Sequence, residues 1–219
     1  MLRRRVAVMV SGGGTNLQAL IDAQAENKLG GGEIIAVIAS RPDAYALTRA
    51  SMAGIRGLVL PRKEYPSHEA YTHALTETLK DLGAELVVLA GFMHILTGEL
   101  IAAYPNAVIN VHPALIPSFC GEGAYGLHVH KRALEYGVKV TGATVHFVNE
   151  VTDGGPIILQ KAVEIRPGDT PEILQRRVMT EAEWQILPQA VALFCQGRLR
   201  VEGRQVFIQE EVQEEGEKE

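Results

Sequence analysis

Cysteine is nearly absent, with Cys120 and Cys195 the only two among 219 residues. They are too few for a disulfide framework and are not spaced as metal ligands, which fits a reducing, cytoplasmic setting. Long apolar runs are missing too, so nothing approaches the roughly 20 residues that a membrane-spanning helix needs. The start, Met1-Leu-Arg-Arg-Arg5, has the basic look of a signal peptide, but the apolar segment Val6–Val10 is too short and runs into glycines. An excess of positive charge is also lacking. The formal net charge is −5, and Gln209–Glu219, with six glutamates and one lysine, carries all of it. The neutral remainder argues against an extended nucleic-acid surface, and the acidic end reads as a solvated, disordered tail. No repeat or low-complexity linker comes before it, so residues 1–208 are expected to form a single domain.

What is present is an ordinary globular balance, 47% hydrophobic and 21% charged, enough to bury a core. Strand-like runs at Val6–Val10, Ile34–Ala39, Leu58–Leu60, Leu86–Ala90 and Val108–Val111 alternate with helix-period segments. Those segments are Asn16–Glu26, Tyr45–Ala53, Ser67–Leu82 and Thr97–Ala103. The alternation predicts an α/β fold with a doubly wound, mostly parallel, Rossmann-like sheet. From Thr141 the pattern changes: "TGATVHFV" and "GPIILQKAVEI", joined by a Gly/Asp turn, suit an antiparallel C-terminal extension. Thr170-Pro-Glu172 then supplies an N-cap, a first-turn proline and an acid, and predicts a long helix to about Leu193.

Polar groups inside this apolar pattern mark the chemistry. In "VINVHPALIP", Asn110 and His112 lie two apart and project from one face, while Pro113 and Pro117 end the strand. Both side chains therefore stand at a strand-to-loop edge, where α/β sheets bind ligands; a hydrogen-bonded core histidine beside a capping asparagine is the rival reading. Ser11-Gly-Gly-Gly-Thr-Asn16 leads from the first strand into a helix and lacks both the dinucleotide fingerprint and the Lys-Ser/Thr of a triphosphate loop. It is either a phosphate cradle or a tight turn capped by Thr15 or Asn16. Asp153 sits before two glycines and taken alone is a turn former. His146 reads as a core histidine, Phe92, Phe119 and Trp184 as packing residues, and His128 with His130 as a poor metal pair.

Taken in order, "VSGGGTNLQALID", "VVLAGFMHIL", "INVHPALIPSF", "GVKVTGATVHFVNEVTDGGPIILQ" and "GDTPEIL" resemble the phosphoribosylglycinamide formyltransferase family, over roughly Val6 to Leu199. The resemblance implies the formyltransferase fold and a role in de novo purine synthesis. The reaction would carry the formyl group of 10-formyltetrahydrofolate to the amine of glycinamide ribonucleotide, with no metal, nucleic acid or membrane involved. It makes Asn110, His112 and Asp153 catalytic. Gly14, Thr15, Asn16 and Glu183 would bind the ribonucleotide, and His68, Met93, His94, Ile95, Leu96 and Asn110 the folate. The substrate amine is the nucleophile in such a reaction, so no serine or cysteine nucleophile is required. Asn110 and His112 would donate to the developing oxyanion, while His112 moves protons with Asp153 raising its pKa. A monomer and a homodimer both remain open.

The chain departs from the family at three places. "FCGEGAYG" is longer than the usual loop, Trp184 replaces a histidine and leaves Glu181 or Glu183 as the substrate-facing acid, and His68 and His94 replace two arginines that in relatives can face the folate's glutamate. Those histidines predict folate affinity that rises as pH falls from about 8 towards 6, with Arg62 and Lys63 as the alternative partners. Methionyl-tRNA formyltransferases and formyltetrahydrofolate hydrolases share the chemistry but are usually longer. A non-catalytic nucleotide-binding module could keep the glycine turn without the Asn-His-Asp set.

Overall fold

The computed structural model describes residues 3–210, so the expected tail lies almost wholly outside the described residues. Apolar runs form strands β1 (Arg4–Val10), β2 (Gly32–Ala39), β3 (Arg56–Val59), β4 (Leu86–Leu89) and β5 (Val108–His112). These five are parallel. Strands β6 (Val140–Phe147) and β7 (Ile157–Glu164) continue the sheet antiparallel, giving the seven-stranded order β3-β2-β1-β4-β5-β6-β7. The chain reverses its direction of travel between β1 and β4, so a crevice opens at the carboxyl ends of those strands.

Strand β1 shows why helices cover both faces. Val6, Val8 and Val10 point into one apolar cluster, and Ala7 and Met9 into the other. Helices α1 (Thr15–Ala25) and α2 (Tyr45–Met52) pack on the first face, and α3 (His68–Asp81) and α4 (Gly98–Ala103) on the second. The Ser67 hydroxyl caps α3 by accepting from the Ala70 amide at 3.1 Å. Helix α5 (Leu127–Tyr136) follows the long loop after β5.

The long helix expected after Thr170 is present but is not α-helical throughout. Thr170 caps it as predicted, but α6 (Pro171–Val178) passes through a π-helical segment, Met179–Glu183, into α7 (Trp184–Cys195). Pro188 within α7 lacks an amide and crowds the preceding turn, and the wider π turn lies just before it. The extra residue brings consecutive side chains, Ala182 and Glu183, into the interior. A two-stranded hairpin, β8 (Leu199–Glu202) and β9 (Gln205–Ile208), closes the described chain and was not expected from the sequence.

Candidate active site

Asn110 and His112 sit at the carboxyl end of β5, opposite His146 and Thr144 of β6. His146 directs Nδ1 at the Phe147 carbonyl, 2.8 Å away, so that nitrogen carries the proton and Nε2 is left as an acceptor. Asn110 donates one Nδ2–H to that Nε2 at 3.2 Å and keeps its second N–H for another partner. The residue read as a bland core histidine thus orients Asn110. Core placement was correct; the link to the site was missed because it runs across a strand pair distant in sequence.

Asp153 arrives from the turn after β6 with φ 53°, and Gly155 permits this approach, since a Cβ there would lie 1.7 Å from the Phe147 oxygen. Its Oδ2 stands 3.5 Å from His112 Nδ1 and accepts from the Gly121 amide at 2.9 Å; its Oδ1 is 3.7 Å from His146 Nε2. Burial works to raise its pKa, yet His112 and the Gly121 amide help to hold the carboxyl below the usual range. His112 is buried, and its Nε2 lies 3.0 Å from the Phe119 carbonyl. Acceptors therefore face both ring nitrogens, an arrangement that suits imidazolium. Burial nevertheless dominates and lowers the His112 pKa, with His146 adding to it against the upward pull of Asp153 and the Phe119 carbonyl. The elevated pKa expected from the sequence is thereby corrected: Asp153 pulls upward, but desolvation outweighs it.

A second cluster forms at the end of β1. Gly14, with φ 69° and ψ 35°, is itself the N-cap of α1, so neither Thr15 nor Asn16 caps the helix with its side chain. Among the described residues, the amides of Gly13, Gly14, Thr15 and Asn16 find no acceptor, which leaves a row of donors at a helix N-terminus. Asn16 instead turns its Nδ2 onto Glu183 Oε2, 2.6 Å away in the interior. Burial pushes the Glu183 pKa up to about 7, opposed in part by the Asn16 bond. Glu181 is exposed, so the π turn brings Glu183 rather than Glu181 to this cluster. Trp184 lines a cleft of about 580 Å³ with Thr15 and Arg49, and its buried indole N–H has no acceptor among the described residues.

The segment after β4 lies at the same sheet edge. The Ser11 hydroxyl accepts from the Met93 amide at 3.0 Å, tying this segment to the glycine turn. Met93 and Ile95 are exposed apolar groups, and Leu96 packs against the core beside α3. His94 is half-buried, edge-on to Tyr71 and Phe92 with ring centroids 5.6 and 5.4 Å away. Burial, then Arg62 and His68, lowers its pKa. That direction favours the neutral ring and so works against the expected gain of charge at His94 as pH falls from 8 towards 6. The permanent charge here belongs to Arg62, 6.0 Å from the Tyr71 ring centroid; His68 is exposed at the start of α3.

The formyl transferase family matches residues 4–191. The phosphoribosylglycinamide formyltransferase of Escherichia coli is 40% identical over 196 residues, covering 90% of this chain and 89% of that protein. The trifunctional purine biosynthetic protein adenosine-3 of Drosophila pseudoobscura is 45% identical over 90% of this chain, which spans only 14% of that protein's length. The crystal structure of glycinamide ribonucleotide transformylase 1 from Symbiobacterium toebii superposes with a TM-score of 0.90 at 46% identity, over 95% of each chain.

Proposed function

We propose a function from one premise: the chain belongs to the formyl transferase family. In this reading it moves the formyl group of 10-formyltetrahydrofolate onto the amine of glycinamide ribonucleotide, as a step of purine synthesis. The observation that carries the reading is the convergence of Asn110, His112 and Asp153 at the sheet edge that also bears the unpartnered amides of the glycine turn. The phosphate of the ribonucleotide occupies those amides, and Glu183 beside Asn16 meets the substrate. The apolar faces of Met93 and Ile95 receive the folate ring, and Arg62, with His68 nearby, faces its acidic tail.

The amine attacks the formyl carbon, and negative charge gathers on the formyl oxygen. The free N–H of Asn110 donates to that oxygen, and His112 Nε2 faces the reacting groups once the Phe119 carbonyl gives up its place, donating to the oxygen after it has taken a proton. The attacking nitrogen must lose a proton, and neutral His112, its Nδ1–H turned to Asp153, accepts it at Nε2. The resulting imidazolium finds Asp153 beside Nδ1, and it can then return the proton to the departing folate nitrogen. Residues 1–208 act here as one catalytic unit on small molecules. No helix of the described residues is long and apolar enough to cross a membrane.

The test is to follow folate product with 10-formyltetrahydrofolate in the presence and absence of glycinamide ribonucleotide. Product formation that depends on the ribonucleotide supports the reading. Equal release without it would make water the acceptor and the chain a hydrolase.

A further inference from the structure

Helix α2, which brings Arg49 to the cleft beside Thr15, also grips the back of the glycine turn. The Ala46 amide donates to the Gly12 carbonyl at 3.2 Å, and Arg49 Nε donates to the Gly13 carbonyl at 2.8 Å. In a trans peptide the carbonyl and the next amide point in opposite directions. Pinning the carbonyls of Gly12 and Gly13 on the α2 side therefore aims the amides of Gly13 and Gly14 away from it, towards the unpartnered row. Contact between α2 and the turn is close, since a Cβ on Gly14 would lie 2.6 Å from that of Ala46.

The Arg49 fork is itself held on two further sides. Its Nη1 donates to Gln18 Oε1 at 3.0 Å, and its guanidinium lies 5.0 Å from the centroid of the Tyr45 ring. Gln18 is fixed in turn by donating to Asp22 at 2.9 Å. An arginine needed only as a diffuse positive charge would not require three such contacts, and a lysine could not make them together.

We infer that Arg49 is a positioning residue that sets affinity for the phosphate-bearing substrate by fixing the Gly13–Gly14 peptide, without touching the reacting atoms. This rests on the reading of the glycine turn as the phosphate site. Arg49→Gln and Arg49→Lys both loosen the peptide, so each weakens the ribonucleotide about tenfold. Folate KM and kcat stay within about twofold, since the peptide meets neither.

The experiment titrates wild type, Arg49→Gln, Arg49→Lys and Gln18→Leu calorimetrically with glycinamide ribonucleotide and with the same riboside lacking phosphate, and records each melting temperature. The expected result is a loss confined to the phosphorylated ligand, similar for Gln and Lys and smaller for Gln18→Leu, with melting temperatures near wild type. Wild-type affinity in Arg49→Lys would show that charge alone suffices, and equal losses for both ligands would place Arg49's effect elsewhere; either overturns the inference. Because binding is read without turnover, wild type that prefers the phosphorylated ligand yet forms no product would sink the proposed activity while leaving the Arg49 result interpretable. Wild type that binds both ligands equally would remove the phosphate turn and the inference with it.

Discussion

At the residue scale, His112 lies between opposing influences: burial favours the neutral ring, whereas Asp153 and the Phe119 carbonyl favour the charged one. A neutral ring is the form that can take a proton, so turnover should fall as pH drops through the titration of His112, below the ordinary histidine range. Asp153→Asn removes the upward pull. Its acid limb should therefore move to still lower pH, while kcat falls on the order of 100-fold because the imidazolium loses its counter-charge. The fold should survive, since an asparagine oxygen can still accept from Gly121. A pH profile of kcat/KM checks both, and wild-type turnover or an upward shift would remove Asp153 from the mechanism. A second prediction concerns the folate tail. Because burial and Arg62 both favour the neutral ring of His94, Arg62→Met should raise folate KM roughly tenfold at pH 6 and pH 8 alike. A loss seen only at pH 8 would return the role to the histidines.

At the scale of elements, the π turn before α7 puts Glu183 in the interior, where its pKa rises to about 7. The unfolded chain releases this proton near pH 4.5 and the folded chain holds it to about 7. Stability is therefore lost as pH rises across that window. Glu183→Gln keeps an acceptor for Asn16 and no charge, so it should gain on the order of 1–3 kcal/mol over wild type at pH 8 and little at pH 4.5, as urea unfolding would record. The ribonucleotide should bind it more weakly. No difference in the stability gain between the two pH values would contradict the buried-acid account. Gly14→Val should cost stability as well as ribonucleotide affinity, because φ 69° and Ala46 leave no room for a branched side chain.

At the scale of the molecule, the alternating strands and helices were legible because each is written in a local period, and the edge of β5 was legible because Pro113 and Pro117 end it. Asp153 was locally only a turn former, and the family resemblance supplied its role. What stayed hidden depends on contacts between distant segments: His146 on Asn110, Arg49 on Gly13, and Arg62 beside His94. The His112 pKa was misjudged for a related reason, since a sequence names charged neighbours but not how deeply the ring is buried. The π turn gave no periodic signal of its own, whereas the final hairpin is written in the alternation Leu199-Arg200-Val201-Glu202 before the Gly203 turn and was passed over.

The central claim is that one sheet edge brings an oxyanion-binding asparagine, a proton-accepting histidine and a phosphate-holding turn around a single formyl transfer. The most direct test is the rate of folate product formation from 10-formyltetrahydrofolate by wild type and His112→Ala, each with and without glycinamide ribonucleotide. The account predicts ribonucleotide-dependent turnover in wild type and a rate lower by about 100-fold or more in His112→Ala, with ribonucleotide affinity little changed. Turnover independent of the ribonucleotide, or undiminished in His112→Ala, would contradict it.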